Sequence, residues 1–159
     1  YMAPELMNQA AGVSMLHIPY KSGGLAITGT IAAEVDMGFF NLPAISGHVK
    51  NGLVKALAIT SAQRNPLFPD VPTVAEVIGK PYEAYEWNGV FLPHGTPADI
   101  VNRLNAALRE VLASPEIKAK FDSLGSRVVA SSPAEFRKYL NAESGRWAAT
   151  VKAAGIKKE

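Results

Sequence analysis

Cysteine is absent from the 159 residues. Its absence removes disulfides, thiolate metal sites and thiol nucleophiles together, while saying little about the compartment. Strong net charge is missing as well. The 16 Lys and Arg residues against 14 Asp and Glu leave +2, too little for a general attraction to nucleic acid or anionic lipid. An anionic partner therefore has to be held locally, and no nucleic-acid partner is expected. No uncharged apolar run approaches the roughly 20 residues that cross a bilayer, and no signal-peptide pattern stands in this chain. What is present is 48% hydrophobic and 19% charged residues, the composition of a folded globular chain rather than a disordered tail. The sequence enters partway through a helix-like stretch, with Leu6, Met7, Ala10 and Ala11 at helical spacing and Gly12 as a stop. From that abrupt start at Tyr1 either of two things is expected: a leader and more have been removed, or the chain is a piece of something longer.

From Met15 to Thr60 short apolar runs alternate with small-residue segments. Met15–Ile18, Asp36–Phe40 and Val54–Thr60 read as strands, with short helices over Ala26–Ala33 and Pro43–Lys50 between them. This is the pattern of βαβ units and a mostly parallel sheet flanked by helices. After a capping box at Thr73–Glu76 and a brief helix ended by Gly79, Glu83–Leu92 reads as extended. Three helices follow. Thr96 with Pro97 at the first helical position, Ser114–Pro115 and Ser132–Pro133 mark their starts, and Arg127–Ala130 reads as a short strand. The change of grain, together with a shift from slightly acidic to slightly basic, sets a boundary near Ala84: residues 1–83 and residues 84–159.

Two loops can carry binding chemistry. Tyr20-Lys21-Ser22-Gly23-Gly24 follows the first strand and precedes a helix. Two glycines there let backbone N–H groups approach a carboxylate, phosphate or sulfate, and the helix start adds positive potential. The same residues also suit a plain tight turn with Lys21 solvated. Neither a Walker loop nor a dinucleotide fingerprint is present. Asn41-Leu42-Pro43-Ala44 occupies the equivalent place after the second strand; Asn41 could contact a ligand or only cap the helix. Trp87, on the extended stretch, either lines a pocket or belongs to the core. His17, His48 and His94 fall in no metal-ligand spacing and read as packed or solvated. No serine sits in a nucleophile elbow and no carboxylate pair is placed for acid–base work. Catalytic residues, metal ligands and cofactors are therefore expected to be none.

The string His17-Ile18-Pro19-Tyr20-Lys21-Ser22-Gly23-Gly24, Phe40-Asn41-Leu42-Pro43-Ala44, Leu57–Arg64, Pro69–Glu76 and Trp87–Pro97, with the ending Ala153–Ile156, closely resembles the Bug family, the TctC-like substrate-binding proteins of tripartite tricarboxylate transporters. The resemblance implies an α/β fold of the type II periplasmic-binding-protein kind, in which two lobes close over a small organic acid and deliver it to membrane permease subunits. It implies periplasmic location and no enzyme activity. It places Tyr20–Gly24 and Asn41–Ala44 at the ligand cleft. Relatives often have Asp before the Asn of the second loop, so Phe40 implies a more apolar ligand. It also implies that this chain is the C-terminal portion only: most of lobe two, then the returning part of lobe one, with self-association or domain exchange expected of apolar faces left uncovered. Two other readings remain open: a truncated interaction module that does not bind ligand, and an α/β enzyme holding an anionic substrate at Gly23-Gly24.

Overall fold

In a computed structural model the described residues run from 2 to 155; Tyr1 and Ile156, both named above, lie outside them. The chain divides into two compact units, one up to Glu86 and one from Trp87 onward.

The first unit holds α1 (Met2–Ala11), α2 (Gly23–Ile31), α3 (Leu42–Lys50) and α4 (Val74–Ile78). Helix α1 ends where expected, at Gly12 in the left-handed region with φ 72°, a conformation that costs glycine nothing. The Asn8 side chain then accepts from Met15 N–H at 3.1 Å, and Tyr82 donates its hydroxyl to the Ala3 carbonyl at 2.9 Å. Helix α2 starts three residues earlier than the apolar spacing suggests, because Ser22 caps it by accepting from Leu25 N–H at 3.3 Å. Gly23 and Gly24 thus form its first turn instead of a preceding loop.

Helix α4 has the predicted capping box. Glu76 N–H donates to Thr73 Oγ1 at 3.1 Å, and Thr73 N–H donates to the Glu76 carboxylate at 2.6 Å. Arg64 closes on the same carboxylate, with Nε 3.1 Å from Oε2, and its Nη1 donates to the Pro69 carbonyl at 3.2 Å. Beneath this knot Ile59 bridges Thr73 in parallel, giving 2.8 Å bonds to Pro72 and Val74. Thr73 and Val74 are buried, as are Ile27, Ile45, Tyr82 and Ala84.

The second unit holds α5 (Ala98–Ala113), α6 (Pro115–Ser123) and α7 (Pro133–Ala153), with α5 packed against α6 and α7. Pro97 is the cap of α5 and not its first residue, since Thr96 spends its hydroxyl on the Pro93 carbonyl at 2.8 Å. Ser114 and Ser132 cap α6 and α7 as predicted, the latter in a full capping box with Glu135.

The sheet departs from expectation. Among the described residues no strand forms, and the Ile59–Thr73 bridge is the one β contact. Met15–Ile18, Asp36–Phe40, Val54–Thr60, Glu83–Leu92 and Arg127–Ala130 have strand composition, but a segment becomes a strand only when a neighbour supplies its ladder. Their side chains agree: Leu16 is 87% exposed, and Ile18, Met37, Leu57, Val90, Phe91 and Val129 are also exposed. The whole chain exposes 11499 Å², whereas two separate closed globules of half the mass would expose about 9,300 Å² together.

Two outcomes follow for the α4 knot. Thr73→Ala should destabilise the first unit by about 1–2 kcal/mol in urea unfolding, the usual cost of losing such a cap. The Arg64 hydrogen bond, and then the Thr73 amide, hold the Glu76 carboxyl below its ordinary value. A carboxyl lowered on folding contributes stability that is present above its unfolded value and lost as pH falls through the folded one. Glu76→Gln should therefore flatten the loss of stability below about pH 4, read from unfolding midpoints across that range.

Candidate functional site

The first turns of α2 and α3 meet one open cleft of about 440 Å³ in the first unit. Helix α2 contributes Gly23, Gly24, Ile27 and Thr28, the segment leading into α3 contributes Phe39, Phe40 and Asn41, and α3 contributes Ala44 and His48. The walls are thus two glycines, an aliphatic side chain and two aromatic rings, with a hydroxyl, an amide and an imidazole as the polar groups.

Electrostatics distinguish these two helices from the others. The first N–H groups of any helix lack an intrahelical acceptor and carry a partial positive charge. The other five described helices each place an acidic residue in the first turn: Glu5, Glu76, Asp99, Glu116 and Glu135. Helices α2 and α3 have none. Ser22 satisfies Leu25 N–H and leaves Gly23 and Gly24 N–H ahead of the first helical bond. At α3 the Asn41 side chain makes no capping bond, so its amide is not consumed by the helix. Two positive helix ends therefore face a cleft that contains no carboxylate of its own.

Of the residues singled out from sequence, Gly23, Gly24, Asn41 and Ala44 come together in this cleft. The others do not line it. The Tyr20 ring lies across Gly29, where a Cβ would run into its hydroxyl, and Tyr20 donates to Glu34 Oε2 at 3.1 Å. Partial burial, then the bond to Glu34, raise its phenol above the ordinary value. Tyr20 thus braces α2. Lys21 is exposed, Ser22 is the α2 cap, and Leu42 and Pro43 build the first turn of α3. Trp87 belongs to the second unit, where its ring meets Phe136 and Tyr139 edge-on with centroids 5.7 and 5.8 Å away. Phe136 also covers Gly89, leaving no room for a Cβ there.

Sequence reasoning missed Ile27, Thr28, Phe39 and His48 as cleft residues. The signal was helical spacing: Thr28 lies one turn beyond Gly24, and His48 one turn beyond Ala44.

Residues 1–156 match the family described as tripartite tricarboxylate transporter family receptor, TctC. The UPF0065 protein in the tcbD-tcbE intergenic region of Pseudomonas sp. (strain P51) is 34% identical over 148 residues, 92% of this chain and 44% of that protein. Protein BugT of Bordetella pertussis (strain Tohama I) is 33% identical over 157 residues, 99% of this chain and 48% of BugT. The chain thus spans about half the length of these relatives. Among solved structures, R. palustris Rpa4515 with adipate superposes with a TM-score of 0.88 at 32% identity, covering 97% of this chain and 52% of that one. The periplasmic binding protein BugD gives 0.87 at 31%, covering 99% and 54%. MatC (Rpa3494) from Rhodopseudomonas palustris with bound malate gives 0.82 at 30%, covering 95% and 52%. The chain belongs to the TctC family of tripartite tricarboxylate transporter receptors and has the fold of its periplasmic binding proteins.

Proposed function

We propose that the cleft between the starts of α2 and α3 binds the carboxylate of a small organic acid, and that the chain works as part of a periplasmic receptor that delivers this acid to the permease subunits of a tripartite transporter. The observation that carries the reading is the pairing of two helix starts without first-turn acidic residues around one cleft. A bound carboxylate would accept from Gly23 and Gly24 N–H and from the Asn41 side chain, replacing the missing acidic partners. Adipate in Rpa4515 and malate in MatC are carboxylates held by chains of this fold. Phe39, Phe40 and Ile27 give the rest of the acid an apolar wall, which favours aliphatic or aromatic tails over heavily hydroxylated ones. No side chain in the cleft is arranged to cleave or form a bond, so binding without turnover is the reading.

The sheet belongs to the same proposal. The strand-like segments are read as members of a mostly parallel sheet in a two-lobed receptor, their ladders completed by the part of the fold that this chain does not span. Residues up to about Glu83 then supply one lobe, and those from Ala84 the returning part of the other.

Calorimetric titration with aliphatic mono- and dicarboxylates tests the site, using this chain alone and a full-length receptor carrying it. Gly23→Val should abolish carboxylate binding while leaving the fold intact, because a Cβ at Gly23 meets no atom within 4 Å and Gly23 lines the cleft. Asn41→Ala should weaken binding by about 1–3 kcal/mol, the range for a hydrogen bond to a charged group. Lys21→Ala should change affinity far less, since Lys21 does not line the cleft. Equal affinity in wild type, Gly23→Val and Asn41→Ala would remove these helix starts from the site.

A further inference from the structure

Helix α2 accepts several locally unfavourable choices, and all of them serve one contact. Gly29 stands buried in its interior, where glycine is disfavoured. The Tyr20 ring takes the place of a Cβ there, which would lie 2.7 and 2.9 Å from two of its carbons. Ala33, just past the helix, adopts a left-handed φ of 57°, a region that side chains disfavour. The turn it makes lets Glu34 N–H donate to the Gly29 carbonyl at 2.9 Å. Glu34 thereby puts a carboxylate at the negative end of the helix, where an anion is unfavourable, and that carboxylate accepts from the Tyr20 hydroxyl at 3.1 Å.

This latch ties the two ends of α2 together. Tyr20 lies two residues before the Ser22 cap, and Gly29 lies seven after it, about 10 Å along the axis. Residues 19–21 make no other hydrogen bond to a described residue, so Tyr20 is the fixed point of the segment that leads into the helix. Gly29 is buried, whereas the Tyr20–Glu34 bond is exposed. Packing of the ring on Gly29 therefore outweighs the hydroxyl, because an exposed hydrogen bond exchanges readily with water. Gly23 and Gly24, which line the cleft, follow Tyr20 by three and four residues, and a swing of the lead-in would carry their N–H groups with it.

Resting on the carboxylate reading above, we infer that Tyr20 is a positioning residue for the anion site: lining no part of the cleft itself, it holds the start of α2 so that Gly23 and Gly24 present their N–H groups to the ligand. Donors fixed beforehand lose little freedom on binding, and affinity rises accordingly. The effect is reciprocal, so a bound anion tightens the contact of Tyr20 with Gly29 and Glu34 by the same factor.

Two-dimensional NMR titration of this chain with hexanoate, followed at the Gly23 and Gly24 amides, tests the assignment and detects millimolar affinities. Tyr20→Ala should weaken binding by roughly tenfold or more, and Tyr20→Phe, which keeps the ring on Gly29, should stay within about threefold of the wild type. Gly29→Ala should weaken binding much as Tyr20→Ala does. Added to Tyr20→Ala it should cost little further affinity, because the ring it displaces is already gone. Thr73→Ala, which loosens α4 in the same unit, controls for lost stability and should leave the affinity unchanged. If Tyr20→Ala and Gly29→Ala bind hexanoate as tightly as the wild type, or weaken it no more than Thr73→Ala does, the positioning role is overturned and the carboxylate site stands. If hexanoate leaves the glycine amides of the wild type unshifted, the carboxylate reading fails and the role of Tyr20 with it.

Discussion

The first N–H groups of a helix must find an acceptor, and the way each helix of this chain meets that demand sorts structural helices from those that face the cleft. Helices α4 and α7 satisfy it internally with complete capping boxes. Helix α6 uses Ser114 with Glu116 nearby, and α5, which lacks a side-chain cap, has Asp99 in its first turn. Helices α2 and α3 leave part of the demand open. Ser22 satisfies one donor, Asn41 satisfies none with its side chain, and neither first turn contains an acid. Water in the open cleft can meet the remainder, and on the proposed reading an external anion would replace it, the glycines allowing close approach to the backbone. The cost of leaving these donors open in the free protein is small because they face an open, wet cleft and not a sealed core.

A second demand of the same kind governs the extended segments. Their N–H and C=O groups need ladder partners, and within the described residues these amount to the Ile59–Thr73 bridge and one bond from Ala84 N–H to the Thr60 carbonyl at 2.8 Å. Apolar side chains follow the backbone: Leu16, Leu57, Val90 and Val129 are exposed on these same segments. In a two-faced parallel sheet they would be covered on both sides. In this chain they are exposed instead, as their unladdered backbone would lead one to expect. The helices need no such neighbour because their hydrogen bonds are internal, whereas a strand does.

This difference also explains what could be read in advance. Helix boundaries depend on local chemistry, and Thr73, Ser114, Ser132, Gly12 and Gly79 gave most of them from the residues alone. The one substantive shift, the earlier start of α2, came from Ser22 capping across two glycines whose weak helical preference hid the first turn. The sheet could not be checked locally, because a ladder is a property of two segments and sequence pattern describes only one. In the site, the glycines and Asn41 were visible because special residues at element boundaries stand out. Ile27, Thr28 and His48 were not, because they lie inside helices, where only the direction of a face decides whether a residue looks into a cleft or a core. Tyr20 and Lys21 neighbour the cleft in sequence without lining it: Tyr20 bonds Glu34 across α2, and Lys21 is exposed.

Backbone donors and helix ends are indifferent to what is attached to the carboxylate they hold. On the proposed reading, selection among acids would fall to the side chains that line the rest of the cleft, among them Phe39, Phe40 and Ile27. An aspartate at position 40 would place a negative charge beside the two open helix starts, where it would compete with the ligand for the same positive potential unless the ligand itself brought a donor. With Phe40 that potential stays open, and on the proposed reading the same position would set two properties together, how strongly an anion is held and how apolar its tail can be.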